Sequence, residues 1–179
     1  MQIKGDKTLL AEVTVEDAEI VCNLRNDKQI NKYLSSSKAI NIAEQQQWII
    51  VNQAKNDGYY FKIIDLDTNE CCGTISIYNA AEGIAEFGRY ISTKSLQAIE
   101  AEYLILKFGF ESFNLHKIYC RTAVDNIKVW KQHYKFGFKD AGEELLESRQ
   151  LLLKVQEITF DKFICTDYSF IKKILERFQ

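Results

Sequence analysis

The sequence predicts an α/β (α+β) fold, a mixed and largely antiparallel sheet of about six to seven strands with helices on both faces. Three observations carry this. Residues 59–66 (YYFKIIDL) and 71–78 (CCGTISIY) are β-branched and aromatic runs separated by Asp67-Thr68-Asn69-Glu70, the pattern of an antiparallel hairpin. A strand-like run at 83–92 (GIAEFGRYIS), an apolar helix over 96–113 and a strand over 117–124 form a unit whose right-handed crossover makes the two strands parallel. Amphipathic helical segments stand before and after these strands, so both sheet faces can be covered.

Taken in order, residues 7–13 (KTLLAEV) read as a first, edge-type strand. Thr14-x-x-Asp17 then starts a helix, with a hydroxyl to cap exposed N–H groups and acids suited to the helix dipole. That helix carries Ile20, Val21 and Leu24 on one side and ends near Arg25-Asn26-Asp27. After the polar loop Ser35-Ser36-Ser37, a second helix over 42–54 presents Trp48, Ile49 and Val51. The helix over 96–113 is apolar on nearly every side (Leu104, Ile105, Leu106, Phe108, Phe110), which buries it between the sheet and another layer. Gly109 inside it costs about 1 kcal/mol relative to Ala, implying a close packing contact or a local weakness. Beyond the strand at 117–124, a turn at Asp125-Asn126 opens an amphipathic helix over 127–135 that stops at Gly137. Residues 138–143 and 150–160 alternate as a final hairpin, and the tail, 167–179, carries a short amphipathic helix with Phe170, Ile171, Ile174, Leu175 and Phe178. That helix packs on the domain or forms a dimer contact, so both a monomer and a homodimer are open.

The 179 residues suit one domain, 1–179, able to bury roughly two-thirds of its unfolded surface. A content of 46% hydrophobic and 27% charged residues is ordinary for a globular chain, and no apolar run approaches the ~20 residues of a membrane span. The start, MQIKGDKTLL, lacks the apolar core of a secretory signal, so a cytoplasmic protein with no membrane partner is expected. A net charge of −2 without clustered Lys and Arg argues against nucleic acid as a partner. The 5 cysteines are odd in number, form no C-x-x-C and lie apart from the two histidines, His116 and His133. They read as buried small hydrophobes, with no metal and no disulfide framework expected. With 0 prolines, every turn must come from Gly, Asn, Asp and Ser.

In 114–138, NLHKIYCRTAVDNIKVWKQHYKFGF, Asn126 opens a helix, His133 follows seven positions on, and the helix closes on Lys135-Phe136-Gly137-Phe138. With the strand and helix before it, from Glu86 onward, this block resembles the GNAT acyltransferase superfamily, and the similarity extends from Leu9 to about Phe163. The opening VTVEDAEIVCNLRND, the Trp48 region and NLHKIY look similar to the branch of ribosomal-protein N-terminal and amino-sugar nucleotide acetyltransferases. The resemblance implies the GNAT fold, acetyl-CoA as co-substrate and transfer of acetyl to the primary amine of a small molecule by direct attack. An amino-sugar nucleotide is the preferred acceptor. A protein or peptide N-terminus is the alternative, as is a catalytically degenerate CoA-binding or regulatory module.

The resemblance also implies where the site lies. The CoA pyrophosphate would sit on the turn before the 96–113 helix, where free N–H groups and the helix dipole favour an anion. Relatives write this turn Q/R-x-x-G-x-G/A; here it reads Thr93, Lys94, Ser95, Leu96, Gln97, Ala98, so only the last small residue is kept, and Lys94 supplies the charge. Backbone N–H groups near Tyr90 and Ile91 would hold the thioester carbonyl, with the two parallel strands splayed for pantetheine. His133 stands where many relatives carry Tyr and would protonate the departing thiolate, unless it is a helix histidine packed by aromatics. Tyr134, ~100° around the helix, is the competing donor. Asn126 would bond the pantetheine amides or cap its helix. Glu86 is the candidate base, directly or through water, or else an exposed strand carboxylate. By the two-residue period its face also carries Ile84, Gly88 and Tyr90, apolar company that would raise its pKa. Arg25, Asn26 and Trp48 would line the acceptor side, Arg25 being suited to a phosphate or carboxylate. Cys120 lies beside the site, yet no His at workable spacing marks it as a nucleophile.

Overall fold

The computed structural model describes residues 1–34 and 38–176, so the Ser35-Ser36-Ser37 loop and Phe178 lie outside the described residues. The strand-forming runs become β1 (Gln2–Lys4), β2 (Thr8–Glu12), β3 (Tyr59–Asp65), β4 (Glu70–Ala81), β5 (Ile84–Ser92), β6 (Lys117–Ala123), β7 (Lys139–Leu146) and β8 (Leu151–Thr159). They form one sheet of 8 strands in the order β1-β2-β3-β4-β5-β6-β8-β7. The count exceeds the sequence expectation because the three residues of β1, too short for an alternation signal, pair with β2 and displace it from the edge. Among the described residues only β5 and β6 pair in parallel, as a right-handed crossover between them requires. The 3-residue turn Glu147, Ser148 and Arg149 completes the final hairpin, whose first strand runs further than its weak pattern indicated because β7 is exposed along nearly its whole length.

The helices are α1 (Ala18–Asn26), α2 (Lys28–Asn31), α3 (Ile42–Ala54), α4 (Ser95–Lys107), α5 (Ile127–Lys135), α6 (Phe160–Cys165) and α7 (Ser169–Glu176). Short α2 and α6 carry no periodic pattern, and the sequence did not reveal them. On one sheet face, α1 and α3 bury Val21 and Ile49 against Val13 and Tyr60. On the other, α4, α6 and α7 cover the main core around Phe61, Ile63, Ile75, Ile77, Phe87 and Ile118. The alternation of Tyr60 with Phe61 and Ile63 across β3 serves both layers, as a period of two demands. The crossover helix is two pieces, α4 and a π-helical turn, Phe108–Ser112. Gly109 sits in that turn because an added Cβ would lie 2.6 Å from Ile77 Cδ1 and 2.9 Å from Ile118 Cδ1. It is therefore the close contact and not a weakness. No helix among the described residues is long and apolar enough to cross a membrane.

Candidate active site

The parallel pairing of β5 with β6 runs only from Ile84↔Lys117 to Phe87↔Cys120. Beyond it β5 follows β4 to Gly73↔Ser92, while β6 follows β8 to Ala123↔Leu153. The separation has a local cause. Ser76 faces Gly88 and Thr74 faces Ile91, so Arg89 and Tyr90 together oppose the single residue Ile75, a β-bulge with Arg89 at φ 48°. Thr74 Oγ1 holds it by donating to the Arg89 carbonyl at 3.0 Å. The extra residue breaks the two-residue period, and Tyr90 turns to the Phe87 face (ring centroids 5.5 Å apart), leaving Arg89 with Glu86. The expectation that Tyr90 shares a face with Glu86 is thereby corrected. A cleft of ≈ 360 Å³ opens between the parted strands, reached by Glu86, Arg89, Tyr90, Cys120, Asn126 and His133.

On the α4 and α5 side, His133 is 1% exposed and shares Nδ1 with Glu102 Oε1 at 2.7 Å, a carboxylate that is itself wholly buried on α4. Gln132 completes the arrangement by donating from Nε2 to Glu102 Oε2 at 2.7 Å and to the Tyr90 hydroxyl at 3.1 Å. That hydroxyl donates to the Ala98 carbonyl at 2.7 Å, so the start of α4, the bulge and α5 are tied together. Burial pulls the His133 pKa down, but the Glu102 carboxylate and the Cys120 sulfur more than reverse this and raise it to about 10. The pairing with Glu102 therefore favours the protonated form of His133. Cys120 borders the same cleft as His133, a neighbourhood that spacing along the chain does not reveal. Tyr134 lies on the opposite side of α5, 41% exposed, donating to Asp140 Oδ1 at 2.7 Å, so it does not reach the cleft.

On the α1 and α3 side, Glu86 is buried but not among apolar groups. Arg121 donates to both its oxygens, from Nε at 3.0 Å and from NH2 at 2.8 Å, and Tyr119 stands at 3.5 Å. The expected apolar surroundings are replaced by a guanidinium because Arg121 and Tyr119 project from β6 onto the same face. Arg25 lines the cleft; Asn26 does not, since its side chain clasps the Ile40 backbone through Nδ2 at 2.8 Å and Oδ1 at 2.9 Å. Trp48 stands behind the lining, its ring 4.8 Å from the Arg89 guanidinium and edge-on to Tyr60 at 5.6 Å.

At the start of α4, the Lys94 ammonium is occupied by Asp65 at 2.5 Å and Thr68 at 3.3 Å, both near the β3–β4 turn, and is not poised over the helix end. Leu96 packs on the main core and Gln97 is buried, so neither side chain covers the turn. The first helical bond is Ala98 N–H to the Lys94 carbonyl at 3.0 Å, which leaves the Ser95, Leu96 and Gln97 amides as a helix start's orphan donors. Asn126 opens α5 without a side-chain capping bond and lines the cleft, so capping does not account for its amide. Ile91 is buried at the far end of the bulge and borders the same space.

Sequence reasoning missed Glu102, Gln132, Arg89 and Arg121. A signal existed for one of them: Glu100 and Glu102 interrupt an otherwise apolar helix, and a buried carboxylate requires a partner. Glu100 finds its own in the Asp6 and Lys7 amides at 2.6 and 3.0 Å. The positions of Arg89 and Arg121 depend on where the bulge falls and on the residue-by-residue register of β5 with its neighbours, which pairing fixes.

Parted parallel strands, a bulge at their divergence and orphan amides at the following helix make a cleft with an anion-binding turn at one end. The chain belongs to the family described as the acetyltransferase (GNAT) domain, whose model matches residues 7–139. An uncharacterized N-acetyltransferase, YnaD, from Bacillus subtilis (strain 168) is 27% identical over 148 residues, 79% of this chain and 85% of that protein. Another, p20 from Bacillus licheniformis, is 24% identical over 145 residues, 76% of this chain and 82% of its own length. Among solved structures, apo FdhC, a nucleotide-linked sugar GNAT, superposes with a TM-score of 0.78 at 24% identity, covering 92% of this chain and 93% of that one. The Vibrio cholerae spermidine N-acetyltransferase in complex with CoA and spermine gives 0.80 at 21% identity, covering 89% and 99%. Acetyl transfer from acetyl-CoA is thus the activity of this chain's family.

Proposed function

We propose that this chain N-acetylates the primary amine of a small molecule by direct attack, and that an amino-sugar nucleotide is a better acceptor than a protein N-terminus. The observation that carries the proposal is the cleft at the parting of β5 and β6, bordered by the Glu102-paired His133 on one face and by arginines on the other. When bound, acetyl-CoA supplies the activated acetyl group. The Ser95, Leu96 and Gln97 amides and the dipole of α4 suit its pyrophosphate without help from Lys94. Asn126 offers an uncommitted side-chain amide along the cleft. His133 holds a proton beside the place where thiolate charge develops and stabilises that charge as a cation. Glu86, occupied by Arg121, orients the amine and passes its proton to water instead of acting as an isolated base.

The relative that acts on a nucleotide-linked sugar supports the acceptor preference; the spermidine relative marks the competing class. An acetyl-transfer screen over amino-sugar nucleotides, polyamines and N-terminal peptides, read by CoA release and by product mass, tests it. We expect CoA release with the sugar nucleotides. Release only with peptides would replace the acceptor, and acetyl-CoA binding without release for any amine would leave a binding module.

A further inference from the structure

Three guanidinium groups line the cleft from the α1 and α3 side, and of these Arg25 and Arg89 meet no carboxylate among the described residues. Arg25, near the end of α1, has its Nε shut away from solvent with no hydrogen-bond partner among the described residues. Arg89, in the bulge, lies over the Tyr78 ring, 3.9 Å from its centroid, and 4.8 Å from that of Trp48; its polar side-chain contact is a long one, 3.4 Å to Ser76 Oγ. The carboxylate that shares this space, Glu86, is taken at both oxygens by Arg121, which also reaches Glu144 at 3.2 Å. Burial pulls the Arg89 pKa below its ordinary value; Tyr78, Tyr60 and the Glu86 carboxylate offset part of this, and the charge of Arg25 adds a smaller downward pull. Holding two cations together in a partly buried cleft is unfavourable unless something anionic joins them.

Resting on the acetyltransferase reading, we infer that this end of the cleft is an anion subsite, and that the acceptor carries a carboxylate or phosphate in addition to its amine. Planar guanidinium forks bind such groups in bidentate fashion, and the aromatic rings under Arg89 fix its orientation before a ligand arrives. A polyamine would bring positive charge against Arg25 and Arg89 and is excluded by the same electrostatics. Trp48 thereby acquires a role as the support of Arg89 and not as a wall of the cleft.

The test is calorimetric titration of the CoA-saturated protein, with the pyrophosphate turn already filled, by four short amines: O-phosphoethanolamine, β-alanine, ethanolamine and putrescine. At least one anion-bearing amine should bind about ten-fold or more tighter than ethanolamine and putrescine. The order of the first two distinguishes phosphate from carboxylate. Arg25→Gln and Arg89→Gln should each remove that advantage, with Arg89→Lys intermediate because it keeps the charge and loses the fork. Arg25→Gln, at a helix end, carries the test even if Arg89→Gln fails to fold. Equal binding of all four amines, binding of none, or an advantage that survives Arg25→Gln overturns the inference. Binding is read without turnover, so anion binding without CoA release counts against the transferase reading alone. Acetylation of putrescine as fast as of the anion-bearing amines counts against the subsite alone.

Discussion

His133 owes its raised pKa to groups that no neighbour in sequence supplies. Glu102 lies 31 residues away on α4, and the His133–Glu102 contact is buried at 2.7 Å. An imidazolium near pKa 10 is a weak acid for a thiolate whose own pKa resembles that of a Cys side chain, ~8.5, so it acts mainly by stabilising the leaving sulfur's charge. Replacing the carboxylate tests this. In Glu102→Gln the burial that opposes the cation should prevail, His133 should titrate near or below 6.5 by NMR, and kcat at pH 7.5 should fall by about 10²-fold while KM for acetyl-CoA changes little. An unaltered kcat with a shifted titration would remove the charge from the mechanism. That His133 and Asn126 border one cleft could be read from the register of the Asn-opened helix, whereas Glu102 becomes meaningful only when α4 and α5 pack together.

The same division holds for elements. The β3–β4 hairpin, the crossover helix and α5 could be read from periodicity and turn residues, because those signals are local. The bulge in β5 could not be read from them alone: Gly88 beside it is the one local sign, Arg89 itself takes the left-handed region, and the shift is fixed by pairing with β4. Nor could the change to a π-helical turn at Phe108, though Gly109 pointed to the place. That glycine permits the turn to seat on Ile77 and Ile118, both 0% exposed. Ala there gains about 1 kcal/mol of helix propensity but overpacks the core at a cost of ~1–3 kcal/mol. Gly109→Ala should therefore be less stable by about 1 kcal/mol and melt roughly 2–4 °C lower by calorimetry. Because β5 and β6 part beyond this layer, acetyl-CoA affinity should be unchanged; a more stable variant would mean that Ile77 and Ile118 yield freely.

For the molecule as a whole, buried charges on both sheet faces set a pH profile of stability with two limbs. Hydrogen bonding to Lys94 holds the Asp65 pKa below the usual 3.8. For Asp17 burial works upward, but Lys62 at 2.6 Å and the Thr14 amide bring the net value down. Both folded values lie below the unfolded ones, so their stabilisation is complete above about pH 4 and is lost as pH falls through the folded pKa. His133 has the opposite sign. Its folded value near 10 exceeds the unfolded 6.5, so its contribution is complete below 6.5 and declines as pH rises towards 10. Urea unfolding across the range should thus show a plateau between about pH 4 and 6.5, an acid limb, and a slow alkaline decline. Glu102→Gln should lower the plateau by ~3–5 kcal/mol, the cost of breaking a buried pair, and abolish the alkaline decline while leaving the acid limb. The two curves should therefore converge as pH approaches 10. Parallel curves from pH 6.5 upward would mean that His133 is neutral in the fold and meets Glu102 through an ordinary hydrogen bond.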